Sequence, residues 1–292
     1  MSTRQDTLPD AQTLDRPFYA TGVMLDAGDF LAEQDYHRGR LARALTYLHG
    51  TGTVAGLKVE YSVTGTAPDQ VELLTVCPGL AVDRLGRFIE LPREACIRLD
   101  RWYREQAVSP DPQAVSDLIT AYKAAPFDGV VADVFLRFVV CEQGKTPAFA
   151  TGPFDALDAV QPSRLRDGYE LQLILRREAD LSQVAPRRDW PDLSAAATPA
   201  ARLLALQDAI LDAWPRDAVT DPATTIPPEY AVTQDDKTSV FLARVVIKAA
   251  PSTGAGQAPV RPAPLAADSV TVDNHLRLFV YMPQALARAL GA

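Results

Sequence analysis

Apolar positions recur at steps of three and four between residues 27 and 49, the clearest periodic segment of the chain. Phe30, Gln34, His37, Leu41, Leu45 and Leu48 form the stripe, and a 3.6-residue period puts them on one helix face. The start of the helix is specified several times over. Asp26 can act as N-cap, Asp29 sits at N3 as the carboxylate half of a capping box, and Leu25 and Phe30 hold the hydrophobic-staple positions. Gly50 ends the helix, because glycine accepts the backbone conformation that follows a last turn. The expected arrangement buries Phe30, Leu41, Leu45 and Leu48 against the first sheet, so that Leu41→Ala would cost about 2–5 kcal/mol. Gly39 in mid-helix costs on the order of 1 kcal/mol against alanine and suggests close backbone packing.

Period-two alternation and turn chemistry dominate the rest. Strands are expected at 53–63 and 70–77 around a loop of Thr64, Gly65, Pro68 and Asp69, and at 79–83 and 87–91 around a turn that uses Asp83 and Gly86. Helical patterns follow at 101–106 and 112–123. Long strands at 131–141 and 169–176 bracket a loop broken by proline and glycine, whose length marks it for interaction. A second amphipathic helix is expected over 200–214, a strong strand at 240–248, a Pro-rich loop at 251–264, a strand at 270–281 and a short helix up to Leu290. Few β-α-β alternations occur, so the pattern predicts a β-rich α+β fold. One long N-terminal helix packs on antiparallel sheets, with no Rossmann-type core. The expected division is a flexible tail at 1–15, a helix plus β-sandwich-like domain at 16–107, a helical connector at 108–127, and a second β-rich part at 128–292.

The 292 residues carry 29 basic and 37 acidic side chains, a formal net charge of −8. That balance argues against nucleic-acid binding, which depends on Lys and Arg neutralising phosphates. No apolar run approaches the roughly 18 residues of a membrane-spanning helix, and residues 1–15 are too polar for a secretory signal. Cys77, Cys96 and Cys141 are widely spaced in apolar stretches and are expected as buried, unreactive thiols.

Sites for chemistry are scarce. The run from Gly50 to Gly56 resembles a dinucleotide loop, but its third glycine is one residue late and it lies between a helix and a strand. A Rossmann loop needs the reverse order, so that the pyrophosphate meets a helix N-terminus. Gly144-Lys145-Thr146 lacks the first glycine of a phosphate-binding loop at Val139. There is no nucleophile elbow and no paired-histidine motif. Of the three histidines, His37 is expected in a buried hydrogen-bond network beside Gln34, and His49 at the helix C-terminus; His275 has no assigned task. Asp83 and Asp133 lie on or beside apolar strands and are the carboxylates to inspect first, with turn capping the expected role. No catalytic, cofactor-binding or metal-ligating residue is assigned, and no cofactor is expected.

Three segments carry a resemblance. The first is Phe18-Tyr19-Ala20-Thr21-Gly22-Val23-Met24-Leu25, followed by Asp29-Phe30, Glu33-Gln34-Asp35-Tyr36, Arg38 and Leu48-His49-Gly50 through Leu57. The second is Cys77-Pro78-Gly79-Leu80-Ala81-Val82-Asp83 with Gly86-Arg87 and Ile89, and the third is Ser163-Arg164-Leu165-Arg166-Asp167-Gly168-Tyr169-Glu170-Leu171. Together they resemble an uncharacterised bacterial family whose genes accompany phage-tail-like contractile injection systems. The first segment is also similar to the shell-domain opening of the type VI secretion baseplate component. The resemblance implies a non-enzymatic structural or adaptor component of such a particle, acting through contacts with other particle components. Alternatives are a carbohydrate- or receptor-binding module of the same particle, or a cell-wall glycan hydrolase using paired carboxylates. Assembly in the cytoplasm is expected, without membrane insertion, as is a small homo-oligomer with a trimer by analogy to baseplate parts. The expected interface is the helix face of Asp29, Glu33, Tyr36, Arg40, Arg43 and Tyr47, since Tyr and Arg are enriched where proteins meet.

Overall fold

In the computed structural model of the chain, the residues described are 3–4, 6, 15–107, 129–147, 160–178, 180–187, 193–194, 196–214, 226–230, 234, 236–251 and 259–289. The expected connector at 108–127, including the helical pattern at 112–123, lies outside them. In chain order the N-terminal half contains β1 (Thr3–Arg4), α1 (Ala27–His49), β2 (Gly52–Gly56), β3 (Val59–Thr64), β4 (Val71–Val76), β5 (Gly79–Val82), β6 (Phe88–Leu91), β7 (Ala95–Arg98) and α2 (Leu99–Ala107). The C-terminal half contains β8 (Gly129–Gln143), β9 (Thr146–Pro147), β10 (Val160–Gln161), β11 (Arg164–Leu175), α3 (Pro199–Asp212), β12 (Val240–Lys248), β13 (Val270–Asp273) and α4 (Pro283–Ala289). The fold is α+β, with the long N-terminal helix set against antiparallel sheets and no Rossmann core.

Residues 52–82 fold as one bent ribbon. β2 pairs with β5 and β3 with β4, all antiparallel. At the bend, Leu57 N–H donates to Pro78 O at 3.2 Å and Cys77 N–H to Lys58 O at 2.8 Å, so pairing continues around the corner. Two glycines make this approach possible. A Cβ on Gly56 would sit 2.1 Å from Pro78 O, and one on Gly79 would sit 2.3 Å from Ala55 O. Gly56, the last glycine of the loop that resembles a dinucleotide site, therefore serves strand crossing. β6 extends the β2–β5 half and β7 the β3–β4 half, giving two three-stranded sheets.

β8 is the spine of the second part. β11 pairs along one side of it, and β12 followed by β1 along the other, with β13 beyond β12. Its even-numbered side chains, Val130, Ala132, Val134, Leu136, Phe138 and Val140, join one core with Leu57, Val59, Leu74, Val76, Ile89 and Leu91 of the ribbon. The two expected β-rich parts thus share a single hydrophobic core. Its odd-numbered side chains Val131, Asp133 and Phe135 are fully buried too. A strand buried on both faces reads as a continuous apolar run, as 130–136 does but for Asp133.

The expected strand at 270–281 stops at Asp273. Asn274, the only asparagine of the chain, turns its amide on β3: Val59 N–H donates to Oδ1 at 2.8 Å and Nδ2 donates to Val59 O at 2.9 Å. Arg277 donates to Leu57 O at 2.7 Å, and burial pulls its pKa down to about 10. The chain then rejoins the ribbon, with Thr53 N–H on Leu278 O and Val280 N–H on Thr53 O, both at 2.9 Å. Cys96 is exposed on edge strand β7, where alternation turns it outward, and Cys77 and Cys141 are half-buried. The expectation of three buried thiols does not hold.

Asp133 has an exposure of 0 % and accepts from two arginines. Arg244 binds it through both prongs, Nε to Oδ1 at 2.8 Å and Nη2 to Oδ2 at 2.9 Å, and Arg176 Nε donates to Oδ2. Both guanidiniums also hold covering loops, Arg244 at Leu181 O and Val184 O, and Arg176 at Glu229 O. Asp133→Ala leaves two buried guanidiniums without their counter-ion, so it is expected to destabilise the fold by about 3–5 kcal/mol. Denaturant unfolding of wild type and variant measures this.

Candidate functional site

The site is built on α1 and its anchorage. Asp26 accepts from Gly28 N–H at 2.7 Å and Asp29 N–H at 3.2 Å, while Asp29 accepts from Asp26 N–H at 2.9 Å, which completes the capping box. Gly50 closes the helix by donating to Leu45 O and Thr46 O. The local signals thus set the helix limits at the expected residues.

The orientation of the helix differs from expectation. Ala42 is its only buried residue among those described, and the side nearest the body carries Asp35, Arg38, Gly39, Ala42, Leu45 and Thr46. The expected core stripe faces outward instead: Phe30 is 51 % exposed, Leu41 56 % and Leu48 75 %. His37 is also exposed, 4.0 Å from Glu33, rather than held in a buried network. The reason is the turn at 83–87. Gly86 has φ +79° and brings the turn so close that a Cβ there would lie 1.9 Å from Ala42 O. Backbone-to-backbone approach of this kind requires a small residue on the helix, and Ala42 supplies it, whereas a leucine there cannot.

The same turn carries an ion cluster. Asp83 Oδ1 accepts from Leu85 N–H and Arg87 N–H, both at 2.9 Å, and Oδ2 from Arg87 Nε at 2.6 Å. Burial pushes the Asp83 carboxyl up, against the pull of Arg87. Arg87 reaches on to Asp6 at 2.9 Å and Thr238 at 2.7 Å and lies over the Phe138 ring at 4.5 Å. Asp6 closes the chain of contacts by accepting from Arg38 of α1 at 2.8 Å. Residues 1–15 were expected as a flexible tail. Among its described residues, Thr3 and Arg4 pair as a strand with β8 and Asp6 lies between two arginines, while Asp15 is exposed.

The six residues of the expected interface face hold varied positions. Asp29 caps the helix, and Glu33 accepts from Tyr19 OH at 2.8 Å. Tyr36 meets His37 edge-on, and Arg40 is exposed. Arg43 and Tyr47 lie against Trp214, just past α3, with the Tyr47 and Trp214 rings stacked at 5.5 Å. Part of this face is therefore in use by the chain itself. The larger apolar surface, which the sequence reading missed, is elsewhere. Phe18 is 85 % and Met24 93 % exposed, and Tyr19, Val23 and Leu25 continue this segment into the open stripe of α1. Leu203, Leu204, Ile210 and Leu211 of α3 are exposed as well. A run such as Phe18–Leu25 reads as a strand by composition, and nothing local tells whether a sheet will receive it.

Neither Asp83 nor Asp133 has a carboxylate oxygen open to solvent chemistry, since both side chains are fully buried and held by arginines. Among the described residues, no group of three or more His, Cys, Asp or Glu could hold a metal ion. Among them also, no helix is long and apolar enough to cross a membrane. No protein-family model and no curated protein matches the chain.

Asp6 provides a pH test of the anchorage. Burial works to raise its pKa, but the hydrogen bonds and charges of Arg38 and Arg87 outweigh burial and hold it below the ordinary 3.8. A lowered folded pKa means that the contribution of Asp6 is complete above the unfolded value and is lost as pH falls through the folded one. Asp6→Asn is expected to remove that acid-dependent step and to raise amide hydrogen exchange at Thr3 and Arg4 at neutral pH, leaving β12 protected.

Proposed function

We propose that the chain is a non-enzymatic structural or adaptor component of a phage-tail-like contractile particle, working through contacts with other particle proteins. The observation that supports this reading is the contrast between its carboxylates and its apolar surface. Asp83 and Asp133 are consumed by arginines and backbone N–H groups, while Phe18, Met24, Phe30, Leu41 and Leu48 stand exposed on one N-terminal segment. Exposed apolar patches larger than scattered single residues mark sites of protein association. The segment concerned is also the one that resembles the shell-domain opening of baseplate proteins. Rigid anchorage of α1 through Gly86 and Asp6 fits a part that must present such a surface in fixed orientation.

The test is co-purification of the full chain with the sheath, tube and baseplate proteins of a contractile particle. Wild type is expected to be retained on assembled baseplate, and Phe18→Ser with Met24→Ser to lose retention while unfolding at the same temperature. Hydrolysis of cell-wall glycan by the wild type, abolished in Asp83→Asn, would overturn the proposal in favour of an enzyme. Glycan binding without turnover, and without retention on the baseplate, would replace it with a receptor-binding role.

A further inference from the structure

The exposed side of α1 has a stricter order than amphipathic helices require. Ala27, Phe30, Gln34, His37, Leu41, Ala44 and Leu48 follow one another at alternating steps of three and four, without a break, over the whole helix. All seven are exposed. A globular helix uses a broad stripe of period 3.6, whereas an uninterrupted alternation of three and four is the seam of a coiled coil. At 100° per residue the centre of this seam lies about 105° from the side of Asp35, Arg38 and Ala42 that meets the body, and about 150° from Arg43, which meets Trp214. Among the described residues, the body leaves the seam clear, with Tyr19 alone reaching its edge at Glu33.

The charges beside the seam choose the occupant. Glu33 and Arg40 both flank the same edge of it, one heptad apart. When two such helices run antiparallel about a two-fold axis, residues at these flanking positions meet their equivalents across the interface. Centring the axis between Asp35 and Tyr36 brings Glu33 and Arg40 of the second copy together beside the Gln34–His37 layer, two residues off level, and Arg40 and Glu33 likewise on the other side, giving two pairs of opposite charges. The same register sets Phe30 against Leu41, Ala27 against Ala44, and the polar Gln34 against His37, each twice. A parallel arrangement would stack His37 on itself and set Glu33 toward Arg38, whose guanidinium is already held by Asp6 and Asp35. Glu33 has room for a further partner, because Oε2 takes the Tyr19 hydroxyl and Oε1 lies 4.0 Å from His37 on the seam.

We infer that α1 is a self-association helix and that a second copy of the chain covers its seam as an antiparallel pair. The inference rests on α1 alone and does not depend on the assignment to a contractile particle. The dimer leaves Phe18 and Met24 outside the paired seam.

Light scattering and sedimentation of the full chain across a wide concentration range test it. The expected result is a concentration-dependent doubling of mass. Leu41→Glu is expected to return the protein to monomer with unchanged circular dichroism, since Leu41 is exposed and supports no buried contact among the described residues. Glu33→Arg and Arg40→Glu are each expected to weaken association about tenfold, as two ion pairs are lost, and the two together to restore it. A wild type that remains monomeric at every concentration overturns the inference, and so does a trimer. A dimer indifferent to Leu41→Glu overturns it as well. Failure of the double exchange to restore what the single changes remove overturns the antiparallel register.

Discussion

A carboxylate buried in the middle of a strand covered on both faces is the constraint around which the C-terminal part is organised. Asp133 occupies a place on β8 that its neighbours fill with valine and alanine, and a lone charge there would cost several kcal/mol. Compensation comes from Arg244 across the ladder on β12 and from Arg176 at the end of β11. Each arginine has donors to spare, and these go to the carbonyls of Leu181, Val184 and Glu229 in the loops over the second face of the sheet. Buried backbone acceptors in irregular segments need such partners. The ion cluster thus holds the loops that bury it.

The N-terminal part uses a related device at its turn. Arg87 is a buried cation whose donors are divided among Asp83 in its own turn, Asp6 near the chain start and Thr238 before β12. Through Asp6 it is linked to Arg38, so the first helix is fixed to the body by polar contacts at the edge and by close backbone approach at Gly86. Little apolar area is spent on this attachment. The large side chains of α1 remain available, which is unusual for a helix of 23 residues capped so well at both ends. In proteins, most helical stability comes from burial of an apolar face against other elements rather than from propensity alone. A second chain on the seam would supply that burial, and the exposed run from Phe18 to Met24 would offer a separate surface to other partners.

What the sequence determined by itself is the local structure. The limits of α1 follow from Asp26, Asp29 and Gly50, the Asp83 turn from a carboxylate beside its own backbone donors, and β12 from an apolar run broken only at Arg244 before Lys248, because each depends on residues a few positions apart. β7 was passed over, since a four-residue strand with one cysteine and one arginine carries little alternation. Tertiary structure decided everything that depends on which distant segments meet. Asp133 could be noticed as a charge on an apolar strand, but its two arginines lie 43 and 111 residues away. Asn274 gave no local signal of its partner, although it completes β3 from 215 residues away. The face of α1 that meets the body was decided by Gly86, for a periodic pattern shows that a helix has an apolar side and not whose surface will cover it.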